Sequence, residues 1–389
     1  MGGDHMLKFP CALSESDLAA MQGTVVDFTA AGQPAVPEQP ADAGQMIGAA
    51  LLKSHSLSTK AYDAFADVLF QPESKRPQTL FLQDLARPQT SLCPDWTRVK
   101  NDLLILRLPA SNDESRYFSF NVPTNTKRQI VIVEADSCSP AAATTLSPDT
   151  RTAAAAATGK AATFIDISVE RDAELNIVYV HAAHTATPHT AGICLYNARV
   201  ATNAAFTWTA VDFTGSLQEF GRTELAEPYA KANINAAAFI LNGHEQSYLT
   251  KIICARPHTT AHIFNRGVVE GKATGRMAAV CDIAKGASGT IARQENRFIT
   301  LSPEAKAFAD PSLLIDEYDV AASHLATVGQ LDEESTYYLC SRGLSRSQAI
   351  RLVTVGFLIP VLDLIPQTAL RDTLKSDLDS TVNEKRGDN

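Results

Sequence analysis

From residue 161 to residue 318 the chain offers one short strand signal after another, and almost nothing that would fold any of them back as a tight hairpin. Phe164–Val169 and Leu175–His181 open the series. Gly192–Val200, Ala205–Phe213, Ile234–Leu241, Ser247–Cys254, Thr259–Phe264, Gly267–Val269, Met277–Ile283, Gly289–Arg293, Phe298–Leu301 and Ser312–Ile315 continue it. So many short β-prone runs between polar turns restrict the architecture to a sandwich, a barrel or a solenoid. Asn242-Gly243 is the exception among the turns, a two-residue hairpin signal. The others carry a small-residue corner, as in Arg171-Asp172-Ala173-Glu174, Ala284-Lys285-Gly286-Ala287-Ser288 and Pro303-Glu304-Ala305-Lys306-Ala307. Such corners suit the stacked coils of a β-helix. No strict repeat period is visible, so the pattern favours a solenoid and leaves a sandwich open.

The flanks read differently. Ser14–Met21, Ala41–Leu52 and Thr59–Leu69 have helical spacing, with a Pro- and Ala-rich connector at Ala31–Pro40. The period turns to two at Leu80–Leu82, Leu103–Leu106 and Arg116–Val122, and Arg128–Glu134 is more continuously apolar. Ser137–Gly159, rich in Ala, Thr, Ser and Pro, reads as a loop insertion. Near the C-terminus Ser345 and Gln348 make a capping box. Ala349, Leu352, Val353, Gly356 and Phe357 then form one helical face, Pro360 and Pro366 break the helix, and Leu370–Leu378 adds a final turn or two. The expected division is an N-terminal helical region with linker and short strands (1–100), a β core (101–330, with the 137–159 insertion) and a C-terminal helical region (331–389).

Composition excludes several classes. A formal charge of −9 and a pI of about 5.5 argue against a nucleic-acid footprint, which needs a basic face. No apolar run is long enough to span a membrane: the most apolar window, Ala349–Pro366, holds Arg351, Asp363 and two prolines. Met1-Gly2-Gly3-Asp4-His5 resembles a vector remnant ahead of a native start at Met6, not a signal peptide. The seven cysteines (Cys11, Cys93, Cys138, Cys194, Cys254, Cys281 and Cys340) are scattered and never in C-x-x-C, which fits a reduced, cytoplasmic protein with thiols serving as small hydrophobes.

Among the histidines, His324 stands out. It lies in Asp319–Gly329, a short polar stretch read as a turn between the β-rich region and an apolar helix. Imidazole is a metal ligand and titrates near neutral pH; the blander reading is a turn histidine bonding backbone carbonyls. His181 and His184, three apart on a strand, face opposite sides and do not chelate together, and His189 adds nothing to them. His258 and His262 read as structural. Gly267-Val268-Val269-Glu270-Gly271-Lys272-Ala273-Thr274 lacks the phosphate-binding pattern G-x-x-x-x-G-K-[ST], so nucleotide hydrolysis belongs to another chain. A polysaccharide-cleaving β-helix would need paired carboxylates on one sheet, and none is evident.

Ala261–Leu362 resembles the SufB/SufD family of iron–sulfur cluster assembly scaffolds. The likeness runs through Gly267–Gly271, Gln294-Glu295-Asn296-Arg297-Phe298-Ile299-Thr300-Leu301-Ser302, Pro311–Val320, Ser323-His324-Leu325-Ala326-Thr327-Val328-Gly329 and Tyr338-Leu339-Cys340-Ser341-Arg342-Gly343-Leu344. Glu295 stands where the SufB-like pattern has a cysteine, which places the chain on the SufD side. The resemblance implies a mainly β protein, a right-handed parallel β-helix flanked by N- and C-terminal helical regions. It implies a non-catalytic scaffold that pairs with a SufB-like paralogue through the β-helix and binds a SufC-like ATPase through the C-terminal helices, and it leaves open a homodimer in isolation. Arg342, Gly343, Ala349, Leu352, Val353 and Phe357 would serve the partner contact. His324 would be a ligand to iron or a nascent cluster at the interface, with no cofactor held tightly by this chain alone and only a transient iron–sulfur cluster or iron in the complex. The family turn reads C-S-H-G; Ala322 and Leu325 replace its cysteine and glycine, so His324 has no neighbouring thiolate. The alternative is a purely structural β-solenoid adapter without cluster chemistry.

Overall fold

Period two governs the middle of the chain, as in Arg116–Val122, where Phe118, Phe120 and Val122 are wholly buried and Asn121 faces outward. In the computed structural model, which describes residues 20–27, 52–56, 90–109, 115–135, 162–181, 192–213, 215–241 and 243–384, these alternating runs assemble into two facing sheets of nine strands each. One sheet, in spatial order, contains β1 (Thr24–Asp27), β4 (Leu103–Pro109), β6 (Lys127–Ala135), β8 (Glu174–His181), β10 (Ala205–Asp212), β12 (Lys231–Ile240), β14 (Thr260–Val269), β16 (Thr290–Thr300) and β18 (Val320–Gln330). The other runs β17 (Lys306–Ile315), β15 (Thr274–Ile283), β13 (Glu245–Cys254), β11 (Leu217–Leu225), β9 (Gly192–Val200), β7 (Thr163–Val169), β5 (Arg116–Val122), β3 (Thr90–Pro94) and β2 (Leu52–Ser56).

From β3 onward successive strands alternate between the sheets, and every ladder is parallel except β2 against β3. This is a parallel β-solenoid, the β-helix the sequence favours. Register is kept from coil to coil: Lys231 lies beside Thr260 and Thr260 beside Ile291. A parallel in-register ladder puts side chains of equal position on one face, so interior residues stack in columns along the axis.

A repeat that sequence reading misses is visible at one corner. Asn125, Asp172, Asn203, Tyr229, His258 and Gly289 all have positive φ, between 55° and 71°. Each gives its N–H to a carbonyl in the next coil: Asp172 to Thr202, Asn203 to Pro228, Tyr229 to Pro257 and His258 to Ser288. Asn and Asp tolerate this left-handed backbone; Tyr229 and His258 do not favour it, and their rings stack at 5.0 Å. After each corner a small residue turns inward, namely Ala173, Ala204, Ala230, Thr259 and Thr290, and all five are buried. The expected small-residue corners are real; the chemical variety of the residue before them conceals the period.

The interior is lined by stacked apolar side chains, with Trp208, Tyr179, Tyr196, Phe118 and Phe206 among the largest fully buried ones. A second apolar layer covers the outer face of the β8–β14 sheet. There α1 (Glu333–Ser341) leads into α2 (Arg346–Leu362) and α3 (Thr368–Glu384), and Leu358, Leu362, Leu370, Leu374 and Leu378 pack on Val131, Val178, Val211 and Phe239.

Several expectations change. Pro360 does not stop α2; it lies in the last turn, and the carbonyl it deprives of a partner belongs to Gly356, which is exposed. The final helix is α3, a full 17 residues, because Leu370, Leu374, Leu378 and Val382 repeat at the spacing that faces the sheet. Of the N-terminal helices, Ser14–Met21, Ala41–Leu52 and Thr59–Leu69 lie outside the described residues save at their edges, where Ala20 is helical and Leu52 instead begins β2. Leu80–Leu82 and the 137–159 insertion also lie outside them. Of the described cysteines, Cys194, Cys254 and Cys281 are buried and Cys93 and Cys340 half-buried, all free. No helix among the described residues is long and apolar enough to cross a membrane.

Candidate functional site

The solenoid ends at β17 and β18, the terminal strands of the two sheets. Each has one neighbour, so ten and eleven residues respectively present a free edge of backbone donors and acceptors. Coil closure stops there because Asp332 ends the strand run: its carboxylate accepts the N–H groups of Glu334 and Ser335 and caps α1.

His324 lies within β18, not in a turn. Ser, Ala, Thr and Gly give the Asp319–Gly329 stretch little strand propensity, and the ladder with β16 overrides it. In that ladder His324 is opposite Gln294, whose side chain is buried and donates to the Ser312 carbonyl at 3.0 Å. The imidazole therefore lies on the inward face of the last strand, at the open end of the interior, and it is exposed because no further described coil covers it. Leu325 and Val328 on the same strand, Phe308, Leu314 and Ile315 on β17, and the fully exposed Tyr318 leave apolar surface uncovered at this end of the solenoid. Among the described residues no group of three His, Cys, Asp or Glu side chains is placed to hold a metal ion. His324 thus offers a single nitrogen, and a full ligand set at this end needs donors from elsewhere.

The second expected site is at α1 and α2. Gly343 has φ +98°, and the N–H groups of Gly343 and Leu344 return to Cys340 and Leu339, a left-handed helix stop that needs glycine. Arg342 rests over the Tyr338 ring at 5.1 Å; it does not pair with Asp332 or Glu333, and Arg346 takes Glu333 with both terminal nitrogens, at 2.9 and 2.7 Å. The expected apolar face of α2 is divided. Leu352 is 53 % exposed and Val353 half-buried, but Ala349 is wholly buried and Phe357 packs beneath Arg266, 5.1 Å from its guanidinium carbon. Ala349 is therefore corrected from partner face to core. The helix is apolar nearly all round, so spacing alone does not say which side meets the sheet. Tyr337 and Tyr338 on α1 and Leu352 on α2 are exposed, and we refer to them as the α1–α2 edge.

A third grouping was missed. His181, which ends β8, is enclosed in the solenoid with its Nδ1 3.4 Å from Glu134 Oε2 and its Nε2 3.6 Å from Glu219 Oε2. Burial by itself pushes the imidazole pKa down, but the two carboxylates outweigh it and hold the pKa up, to about 10. Alternation with Ile177 and Tyr179 on the inward face is the signal that could have placed it there. His184 and His189 lie outside the described residues; His258 sits in the corner stack and His262 beside Arg293 in the β14–β16 ladder, and neither faces His324.

Comparison with known proteins bears on the solenoid directly. The family described as SUF system FeS cluster assembly, SufBD core domain, matches residues 120–357. The chain is similar to the iron–sulfur cluster assembly protein SufD of Bacillus subtilis, 38 % identical over 137 residues, which are 35 % of this chain and 31 % of that protein. It is also similar to a SufBD family protein of Synechocystis, 31 % identical over 140 residues (36 % of this chain, 31 % of the relative). A SufBD family protein of Mycobacterium leprae is 25 % identical over 170 residues, 43 % of this chain and 20 % of the relative. The matched parts thus span less than a third of the length of these curated relatives.

Proposed function

Because the chain belongs to the SufBD core family of the SUF iron–sulfur assembly system, we propose that it is a SufD-like scaffold subunit on which nascent iron–sulfur clusters are assembled. Its open solenoid end pairs with a SufB-like paralogue, and its α1–α2 edge binds a SufC-like ATPase. The carrying observation is the free edge of β17 and β18, with unsatisfied backbone and exposed Leu325, Val328, Leu314 and Ile315 around it. Exposed long edge strands with apolar neighbours are a pairing template, and a related solenoid is the natural partner because its own last coil has the same spacing.

In this reading the chain is not an enzyme. Iron and sulfide are cargo, and His324 supplies one imidazole while the paralogue supplies the thiolates and carboxylates that complete the ligand set. ATP binding and hydrolysis reside in the ATPase, which acts on Tyr337, Tyr338, Arg342 and Leu352. The α2–α3 layer, packed on the solenoid wall, transmits that action to the sheet.

The test is co-expression of the full chain with a SufB-like and a SufC-like protein, followed by size-exclusion chromatography. A stable ternary assembly is expected, with Leu325→Asp/Val328→Asp losing the paralogue alone. A chain that elutes by itself in the presence of both refutes the reading.

A further inference from the structure

The solenoid interior is apolar along most of its length, and one level of it is not. There His181 on β8 is wholly enclosed, and described titratable groups face it from each neighbouring strand: Glu134 from β6, Asp212 from β10, Glu219 from β11 and the Cys194 thiol from β9, with Tyr179 on its own strand. The tyrosines Tyr196 on β9 and Tyr248 on β13 complete the surround, both held un-ionised by burial.

Each of the two nearest acids has one oxygen in a hydrogen bond and the other turned to the His181 ring at ion-pair distance. Tyr179 donates its hydroxyl to Glu134 Oε1 at 2.6 Å, and Trp208 donates its indole N–H to Glu219 Oε1 at 3.2 Å. The remaining oxygen of each faces one nitrogen of the His181 ring, Glu134 on the Nδ1 side and Glu219 on the Nε2 side. Asp212, beside His181 in the ladder, accepts the Gly215 N–H at 3.2 Å.

This geometry decides the charge of the ring. A neutral imidazole has one protonated nitrogen and one bare lone pair. Whichever tautomer is chosen, the bare nitrogen would point at a buried carboxylate oxygen. Only the imidazolium carries a proton on both sides; at 3.4 and 3.6 Å the contacts are ion pairs longer than hydrogen bonds, and a cation between the two acids compensates anions removed from water. Glu134 belongs to one sheet and Glu219 to the other, so the ring joins the two walls of the solenoid across its interior.

We propose that His181 is a cross-sheet clamp protonated at neutral pH, and that loss of its proton at alkaline pH is the step that loosens the middle coils. The clamp owes nothing to the assembly partners or to cluster chemistry. Its sign follows from linkage: the folded state keeps the proton above the pH at which an unfolded histidine gives it up, so the stabilisation is complete below about pH 6.5 and is lost as pH rises through the folded value.

Two measurements on the full chain test this. In nitrogen-15 histidine NMR of the wild type, with the His181 signal identified by its disappearance in His181→Gln, both ring nitrogens are expected to be protonated at pH 8. A neutral-tautomer signature at that pH overturns the proposal, whatever the variant does. In denaturant unfolding from pH 6.5 to 10, the wild-type midpoint is expected to fall with a slope about one proton steeper than that of His181→Gln; equal slopes overturn it also.

Discussion

His324 and Gln294 are partners in the β16–β18 ladder, yet Gln294 is buried and His324 open to solvent. The difference comes from position alone: Gln294 has a strand on either side and His324 has one. A partner that stacks on β18 would put the imidazole in an environment like that of Gln294, enclosed between coils. In the proposed assembly, that is the setting in which a single nitrogen would become useful to a cluster in transit.

The first expected outcome concerns that nitrogen. His324→Ala truncates an exposed side chain on an end strand, so thermal stability should change within about 0.5 kcal/mol. Cluster formation in the reconstituted complex should fall several-fold while the complex still elutes intact. Unchanged cluster formation would favour the adapter reading, in which the solenoid contributes shape and no chemistry.

The corner stack gives a second. Gly289 has φ +71°, and a Cβ built on it would lie 2.3 Å from His258 Nδ1. Gly289→Ala should therefore destabilise the chain by about 1–3 kcal/mol through backbone strain and the clash together. Combined with His258→Ala, part of that loss should return, because the clash is removed and the strain is not. Full additivity of the two substitutions, measured by chemical unfolding, would show that the ring and the glycine are not in contact.

How much of this was legible beforehand follows from particular residues. The coils were readable because small-residue corners such as Arg171–Glu174, Ala284–Ser288 and Pro303–Ala307 separate the strand runs, and the capping box at Ser345 and Gln348 announced α2. Three things were not. The strand carrying His324 is built of weak β-formers and exists through its ladder. The orientation of α2 depends on which side meets the sheet, and an all-round apolar helix gives no answer in its spacing. The pairing of His181 with Glu134 and Glu219 joins residues of different coils, and without a visible period nothing in one sequence aligns them.

A third expectation concerns acid. His262 lies beside Arg293 in the β14–β16 ladder, and burial, with that guanidinium, holds its pKa below the ordinary value. The unfolded chain then takes up the proton first as pH falls. Stability should decline as pH drops through about 6.5, and level off below the folded value. His262→Gln should flatten that part of a midpoint-versus-pH curve; an identical curve would mean that the ring protonates freely in the folded protein.

The last concerns the two sides of α2. Leu358 is wholly buried against the sheet wall, whereas Leu352 on another side of α2 is 53 % exposed and Tyr337 on α1 76 % exposed. Leu358→Ala should cost about 2–5 kcal/mol of stability, as truncation of a buried leucine does, without acting on partner recognition directly. Tyr337→Glu with Leu352→Glu should leave the unfolding midpoint nearly unchanged, because neither side chain is withdrawn from water. If the exposed edge is the ATPase contact, this double variant should still co-elute with the SufB-like paralogue and fail to retain the SufC-like subunit. Retention at wild-type levels would move the contact off the α1–α2 edge, while a fallen midpoint would show that the edge is part of the fold.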